Sequence, residues 1–234
     1  APKDPRNMNF NLEDLQLPED FFQAEVKVGA HRHLLFASQL QLDVLERTTS
    51  ISIDSTFKIV TPPFTQVFGI HTYIKKGDSV TMVPVLFAVM SRSREVDYRS
   101  VLEKVKELCP SLTIRHCMMD FEQAEWLAIR AVFGVDAQRQ GCNFHFTQAI
   151  WRKVQNLGLA TSYKKQDFTY SFVRKLMALA FLPAEQITPV FRAIKLKTTN
   201  APQPLQDLAT YFEETWIEGN WPPAAWSVFG IQVS

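Results

Sequence analysis

From residue 51 the apolar residues of this chain recur at every second position. Three runs carry the alternation: ISIDSTF (51–57), QVFGIHTYI (66–74) and TMVPVLFAVM (81–90). A period of two puts successive side chains on opposite faces of a strand. Pro62-Pro63 interrupts the first gap, and Lys75-Lys76-Gly77-Asp78 reads as the turn between the second and third runs. Pro84 cannot donate to a ladder, so the third strand is expected at an edge or with a bulge. In the first strand Ile51 and Ile53 point one way and Asp54 the other.

Elsewhere the spacing is helical. Leu34, Leu35, Leu42 and Leu45 can share one face of a helix over 31–47, after a loop-rich lead-in with Pro2, Pro5 and Pro18. Val101, Val105 and Leu108 make a stripe over 97–109, with Asp97 as cap and Pro110 as stop. TIRHCMMD (113–120) reads as a fourth strand and DAQRQGC (136–142) as a short fifth. Between them FEQAEWLAIRAVFG (121–134) reads as an amphipathic helix ended by Gly134. Helices are expected over 146–158, 167–182, 183–196 and 204–219. The order predicts an α/β fold: a mixed five-stranded sheet with flanking helices, followed by an all-helical segment. Residues 1–50 are expected as a lead-in with one helix, 51–160 as the core and 161–234 as the helical region.

Composition narrows the class. Hydrophobic residues are 46% and charged residues 21% of the chain, which makes it globular rather than disordered. No apolar stretch approaches the roughly 20 residues that cross a bilayer, so no membrane partner is expected. The start, APKDPRNMNF, has no secretory pattern and no initiator Met, so the chain is expected to be a piece of a longer protein. Cys109, Cys117 and Cys142 do not make a disulfide framework and fit a reducing compartment. The net charge of +1 hides a pattern. Residues 150–200 hold nine Lys/Arg against two Asp/Glu, and residues 201–234 hold four acids and no Lys/Arg. A cationic stretch suits a polyanion such as nucleic acid. Arg152, Lys153, Lys164, Lys165, Arg174 and Lys175 are the candidate phosphate contacts. The alternative is a solvated helical surface.

Asp54 and Asp120 carry the candidate chemistry. Each lies where a β-branched or apolar run meets polar residues. Two carboxylates brought together repel unless a divalent cation lies between them, which is the logic of metal-assisted phosphoryl transfer. The bland readings are an ion pair of Asp54 with Lys58 and a helix cap at Asp120. Glu122 reads as a carboxylate favoured in a first helical turn. Cys142 and His145 form a C-x-x-H pair. Zn²⁺ wants four ligands, and no convincing second pair accompanies it, so the rival reading is a buried thiol beside a hydrogen-bonded imidazole. His71 reads as a core or supporting histidine, and His31 and His33 as surface residues. Trp151, Trp216, Trp221 and Trp226 read as core, with base stacking as the rival role.

These residues stand in a recognisable order. Asp54-Ser55-Thr56-Phe57-Lys58, Gly69-Ile70-His71, Met119-Asp120-Phe121-Glu122-Gln123-Ala124 and Gly141-Cys142-Asn143-Phe144-His145-Phe146 resemble the catalytic core of Mutator-like element (MULE) transposases, a branch of the ribonuclease H-like superfamily. Leu179-Ala180-Phe181-Leu182-Pro183, Thr215-Trp216 and Trp226 extend the resemblance. It implies a ribonuclease H-like sheet with a helical insertion. It implies Asp54 and Asp120 as the first two members of an acidic triad holding Mg²⁺ or Mn²⁺, and DNA as partner. It also implies the nucleus as compartment, while a homo-oligomer is an open alternative that the sequence does not decide. The third acid in that family is a glutamate beyond the Trp226 region. Here the sequence reads Trp226-Ser227-Val228-Phe229-Gly230-Ile231-Gln232-Val233-Ser234. Glu213, Glu214 and Glu218 are not assigned its role. The expectation is therefore weak metal binding and no DNA cleavage by these 234 residues. The alternative is a domesticated, non-catalytic DNA-binding or transcriptional regulator. A superfamily exonuclease would carry Asp-x-Glu on its first strand, and Asp54 is followed by Ser55-Thr56.

Overall fold

The computed structural model describes residues 5–15, 17, 19–57, 59–165 and 168–231; Lys58, Asp167 and the last three residues, on which some of the expectations above fall, lie outside the described residues. Two compact units are present, Ala1–Arg139 and Gln140–Gln232.

The sheet contains seven strands rather than five. They are β1 (Phe22–Val28), β2 (His31–Phe36), β3 (Ser50–Phe57), β4 (Gln66–Lys76), β5 (Ser79–Met90), β6 (His116–Met119) and β7 (Gln138–Gly141), in the order β1-β2-β5-β4-β3-β6-β7. The two extra strands come from the lead-in. The helix expected over 31–47 forms only over Gln39–Arg47 (α1), because Ser38 and Gln41 close a reciprocal capping box that fixes its start. The preceding His31–Phe36 finds ladder partners on both sides, in β1 and β5. Gly29, at φ 60°, makes the turn between β1 and β2. Leu34 and Leu35, neighbours in sequence, are both buried, as in a strand covered on two faces rather than on a helical stripe.

Pro84 is accommodated by a bulge, not by an edge. β5 lies between β2 and β4, and its register with β4 slips between Ile70 and His71, where Pro84 pairs with His71. The β2 ladder reaches only Phe87, so Pro84 lies beyond it, and its carbonyl accepts a hydrogen bond from Gln41 Nε2. Helices α2 (Glu95–Leu108) and α3 (Gln123–Phe133) pack on each other and join one apolar core with Ile51, Ile53, Phe68, Ile70 and Met119.

Within this core lies a polar triad absent from the sequence reading. His33, expected at the surface, is wholly buried and bonds Asp97 through Nε2 at 3.1 Å. Asp97 also accepts two bonds from the Arg92 guanidinium and one from the Arg94 backbone N–H, so it caps α2 from its third position rather than its first. Burial alone would raise the Asp97 pKa, but these donors hold it below the usual carboxylate range. Burial holds the His33 pKa down, which keeps the imidazole neutral.

The second unit is helical: α4 (Asn143–Asn156), α5 (Ala160–Lys164), α6 (Phe168–Ala178), α7 (Ala184–Leu196) and α8 (Gln203–Phe212), the last continued by a π-helical turn, Glu213–Ile217. Its core is aromatic. Phe146 stacks on Trp226 at 4.5 Å and meets Trp216 edge-on at 4.9 Å, while Phe191 stacks on Phe212 at 5.0 Å. The Trp226 indole N–H donates to the carbonyls of Trp216 and Trp221, which satisfies its polar edge inside the core. Gly219 permits the chain to turn there, since a Cβ would lie 2.4 Å from the Glu214 carbonyl oxygen.

Candidate active site

Asp54 leaves β3 on the face away from the core. Ile51 and Ile53 are buried, and Asp54 is exposed. β3 runs antiparallel to β4 and parallel to β6. The parallel ladder pairs Ser50 with His116, Ile51 with Cys117 and Ser52 with Met118. Continued by two residues, the same register sets Asp54 level with Asp120, the first residue after β6. Neighbouring strands are about 4.8 Å apart, and residues level across a ladder share a face. This register directs both aspartates to the carboxyl ends of adjacent parallel strands, where open α/β sheets place ligands.

The backbone around Asp120 is fixed locally. Asp120 Oδ1 accepts from the Phe121 N–H at 3.1 Å, and the Asp120 carbonyl accepts from the Trp126 indole at 2.7 Å. Asp120 is not the cap of the following helix; that position belongs to Glu122. Glu122 therefore precedes the first turn, and its Oε1 accepts from the Tyr98 hydroxyl at 3.1 Å. Burial raises the Glu122 pKa, the Tyr98 bond lowers it and the charge of Asp120 raises it, with a net upward shift.

The sequence reading missed Glu125. It is 1% exposed on the first turn of α3. Its Oε1 accepts from the Ser55 hydroxyl at 2.7 Å, and its Oε2 is buried with no hydrogen-bond partner. Burial pushes its pKa up to about 8, Ser55 opposes this, and the charges of Glu122, Asp120 and Asp54 add to it. Glu125 therefore senses both aspartates. One signal was available: Glu125 follows buried-face spacing in α3, where an acid is out of pattern. Tyr98 completes the scaffold. Its hydroxyl accepts from Gln66 Nε2 at 2.8 Å, and both residues are wholly buried.

On the exposed face, His71 lies across from Ser52, and Gly69 across from Asp54. A Cβ at Gly69 would lie 2.8 Å from the His71 ring, so the glycine makes room for the imidazole beside the residue paired with Asp54.

Among the described residues no set of three His, Cys, Asp or Glu side chains is gathered to hold a metal ion. The donor chemistry at Asp54 and Asp120 nevertheless fits a hard divalent cation, being all oxygen. Cys142 caps α4. Burial pushes its thiol pKa up, but bonds from the His145 side chain and from the His145 and Phe144 backbone N–H groups outweigh this and bring it below the ordinary value. A Zn²⁺ ion takes four ligands, and among the described residues no third His, Cys, Asp or Glu is gathered with this pair.

Of the candidate phosphate contacts, Arg152, Lys164, Lys165, Arg174 and Lys175 are exposed. Lys153 is partly covered, with its ammonium 5.0 Å from the centre of the Tyr211 ring. Trp216 and Trp226 are core residues, whereas Trp151 and Trp221 are half-buried. Among the described residues no helix is long and apolar enough to cross a membrane.

Residues 50–149 match the family profile of the MULE transposase domain. The match begins at β3 and runs through Asp54, Asp120, Cys142 and His145. No curated protein matches the chain.

Proposed function

We propose, with residues 50–149 as a MULE transposase domain, that this chain carries the first two metal-holding carboxylates of a DDE-type DNA transposase on a ribonuclease H-like sheet. A transposase domain implies interaction with DNA. The finer reading is cleavage and strand transfer at DNA phosphodiesters, in the nucleus. The observation that supports it is the β3–β6 register, which, continued by two residues beyond Ser52–Met118, brings Asp54 level with Asp120.

Asp54 and Asp120 would hold Mg²⁺ or Mn²⁺, which when bound activates a water or 3′-hydroxyl and stabilises the leaving oxygen. The chain's own groups do the positioning. Ser55 and Tyr98 hold Glu125 and Glu122 behind the aspartates, and Trp126 and the Phe121 N–H fix the Asp120 turn. The exposed cations of α4, α5 and α6 offer contacts to phosphates. With two aspartates and no assigned third acid, binding of Mg²⁺ is weak and the 234 residues alone do not cleave DNA.

The test is Mn²⁺ binding followed by electron paramagnetic resonance, with Asp54→Asn and Asp120→Asn as comparisons. Weak binding in the parent chain, lost in both variants, supports the reading. Binding that survives both substitutions refutes it. Retained DNA binding without any Mn²⁺ site would favour the non-catalytic regulator. Metal-dependent nicking abolished by Asp54→Asn would overturn the expected inactivity.

A further inference from the structure

The helical unit contains a pocket of about 630 Å³ that the carboxylate chemistry does not use. One wall is a stripe of α4: Phe144, Thr147, Gln148 and Trp151. The spacing i, i+3, i+4, i+7 puts all four on one helical face. The other wall repeats the same spacing on α6 and the turn after it: Arg174, Met177, Ala178 and Phe181. Tyr163 of α5 joins the lining, with its ring 4.9 Å from Trp151 and 5.0 Å from Tyr170. Seven residues of helix span about 10 Å, and the volume lies in the range of small-molecule sites.

The lining is not that of a core gap. Phe144 and Phe181 are 64% and 60% exposed, although each has the surface that usually goes inside. Asn143, which also lines the pocket, has its Oδ1 buried with no hydrogen-bond partner. A buried acceptor without a donor is costly, and a ligand N–H would satisfy it. Gln148 adds a second amide, and Arg174 contributes a cation at an exposed position. The surrounding stretch, residues 150–200, holds nine Lys/Arg and two Asp/Glu. Aromatic faces, an orphaned acceptor and a guanidinium together match the three parts of a nucleotide: the π-face of a base, its amino edge and its phosphate.

We propose that this pocket takes a single unpaired DNA nucleotide with an amino-bearing base, stacked against the aromatic walls, with Asn143 on the base edge and Arg174 on the phosphate. The proposal rests on the reading of DNA as the chain's ligand, and adds that the helical unit selects unpaired over paired positions. A duplex interior cannot enter the pocket without leaving the stack, so the preference falls on bulges, flipped bases and strand ends.

The test uses the full chain and two hairpin duplexes of one sequence. In one, 2-aminopurine is a single-nucleotide bulge; in the other it is paired. The expected result is quenching of the bulged probe and not of the paired one, with the bulged duplex bound about 5- to 100-fold more tightly. Trp151→Leu and Phe144→Leu should remove both the quenching and the preference while binding of the paired duplex stays. Phe144 is exposed, so its variant keeps a folded control if Trp151→Leu does not fold. Arg174→Gln should weaken the bulged duplex more than the paired one. Equal affinity for the two duplexes without quenching overturns the pocket and leaves the DNA reading standing, as does quenching that survives Phe144→Leu and Trp151→Leu. Binding of neither duplex overturns both.

Discussion

In the sheet unit the acids behind Asp54 and Asp120 are held, the buried Glu125 by Ser55 and the half-buried Glu122 by Tyr98, with Tyr98 in turn held by Gln66. In the helical unit Arg152, Lys164, Lys165, Arg174 and Lys175 stand in solvent. The cores differ in the same sense. That of the sheet unit is mainly aliphatic with a buried Asp97–His33 pair bonded by the half-buried Arg92, and that of the helical unit is an aromatic cluster around Trp226. Charge fixed in a low-dielectric setting gives geometry, and charge kept in water gives reach and salt-dependent attraction. A site that must hold a cation in place needs the first, and a surface that must find a polyanion needs the second.

The largest expected effect sharpens the contrast between cores. Trp226→Ala removes a wholly buried side chain and its two indole bonds, so chemical denaturation should show a loss of about 3–5 kcal/mol, falling on the helical unit. If the sheet unit unfolds in the same step with the same loss, the two units are one cooperative body.

Next comes Glu125. Burial raises its folded pKa to about 8, so the folded chain keeps a proton that the unfolded chain releases at ordinary carboxylate pH. Stability is therefore full below about pH 4.5 and is lost as pH rises through about 8, by a few kcal/mol in chelator-treated buffer. Glu125→Gln should flatten that slope when unfolding is followed across pH. An unchanged slope would mean that Glu125 is not the group that titrates.

Tyr98→Phe should cost about 1–3 kcal/mol, because it leaves the buried Gln66 amide with only the weak Met90 sulfur as acceptor. It should also raise the Glu122 pKa further, since the lost bond was the one lowering it. Carbon-detected carboxylate titration by NMR measures both effects of this scaffold.

The smallest effect belongs to the exposed cations. Lys164→Gln, Lys165→Gln and Lys175→Gln should leave stability within about 0.5 kcal/mol. Each that meets a phosphate should reduce the slope of log affinity against log salt by about 0.9. A fall in melting temperature, or an unchanged salt slope for the triple variant, would erase the difference drawn between the two units.

Much of this was legible in the residues. The period-two runs became β3, β4 and β5, the helices expected over 97–109 and 121–134 formed within two residues of those bounds, and Pro84 produced a bulge. The family resemblance is met by the match of residues 50–149 to the MULE transposase domain. The lead-in was misread because Leu34 and Leu35 satisfy a helical stripe as readily as a two-faced strand, and only partners in β1 and β5 decide between them.

The sequence by itself determined local periodicity, caps and the identity of two acids at the polar ends of apolar runs, because these depend on neighbours within a few positions. Tertiary structure alone decided that His33 is buried and neutral, that Glu125 stands behind both aspartates, and that two helical stripes face each other across a pocket. Burial and pairing are set by groups distant in the chain, so a residue's protonation and use cannot be read from its own segment.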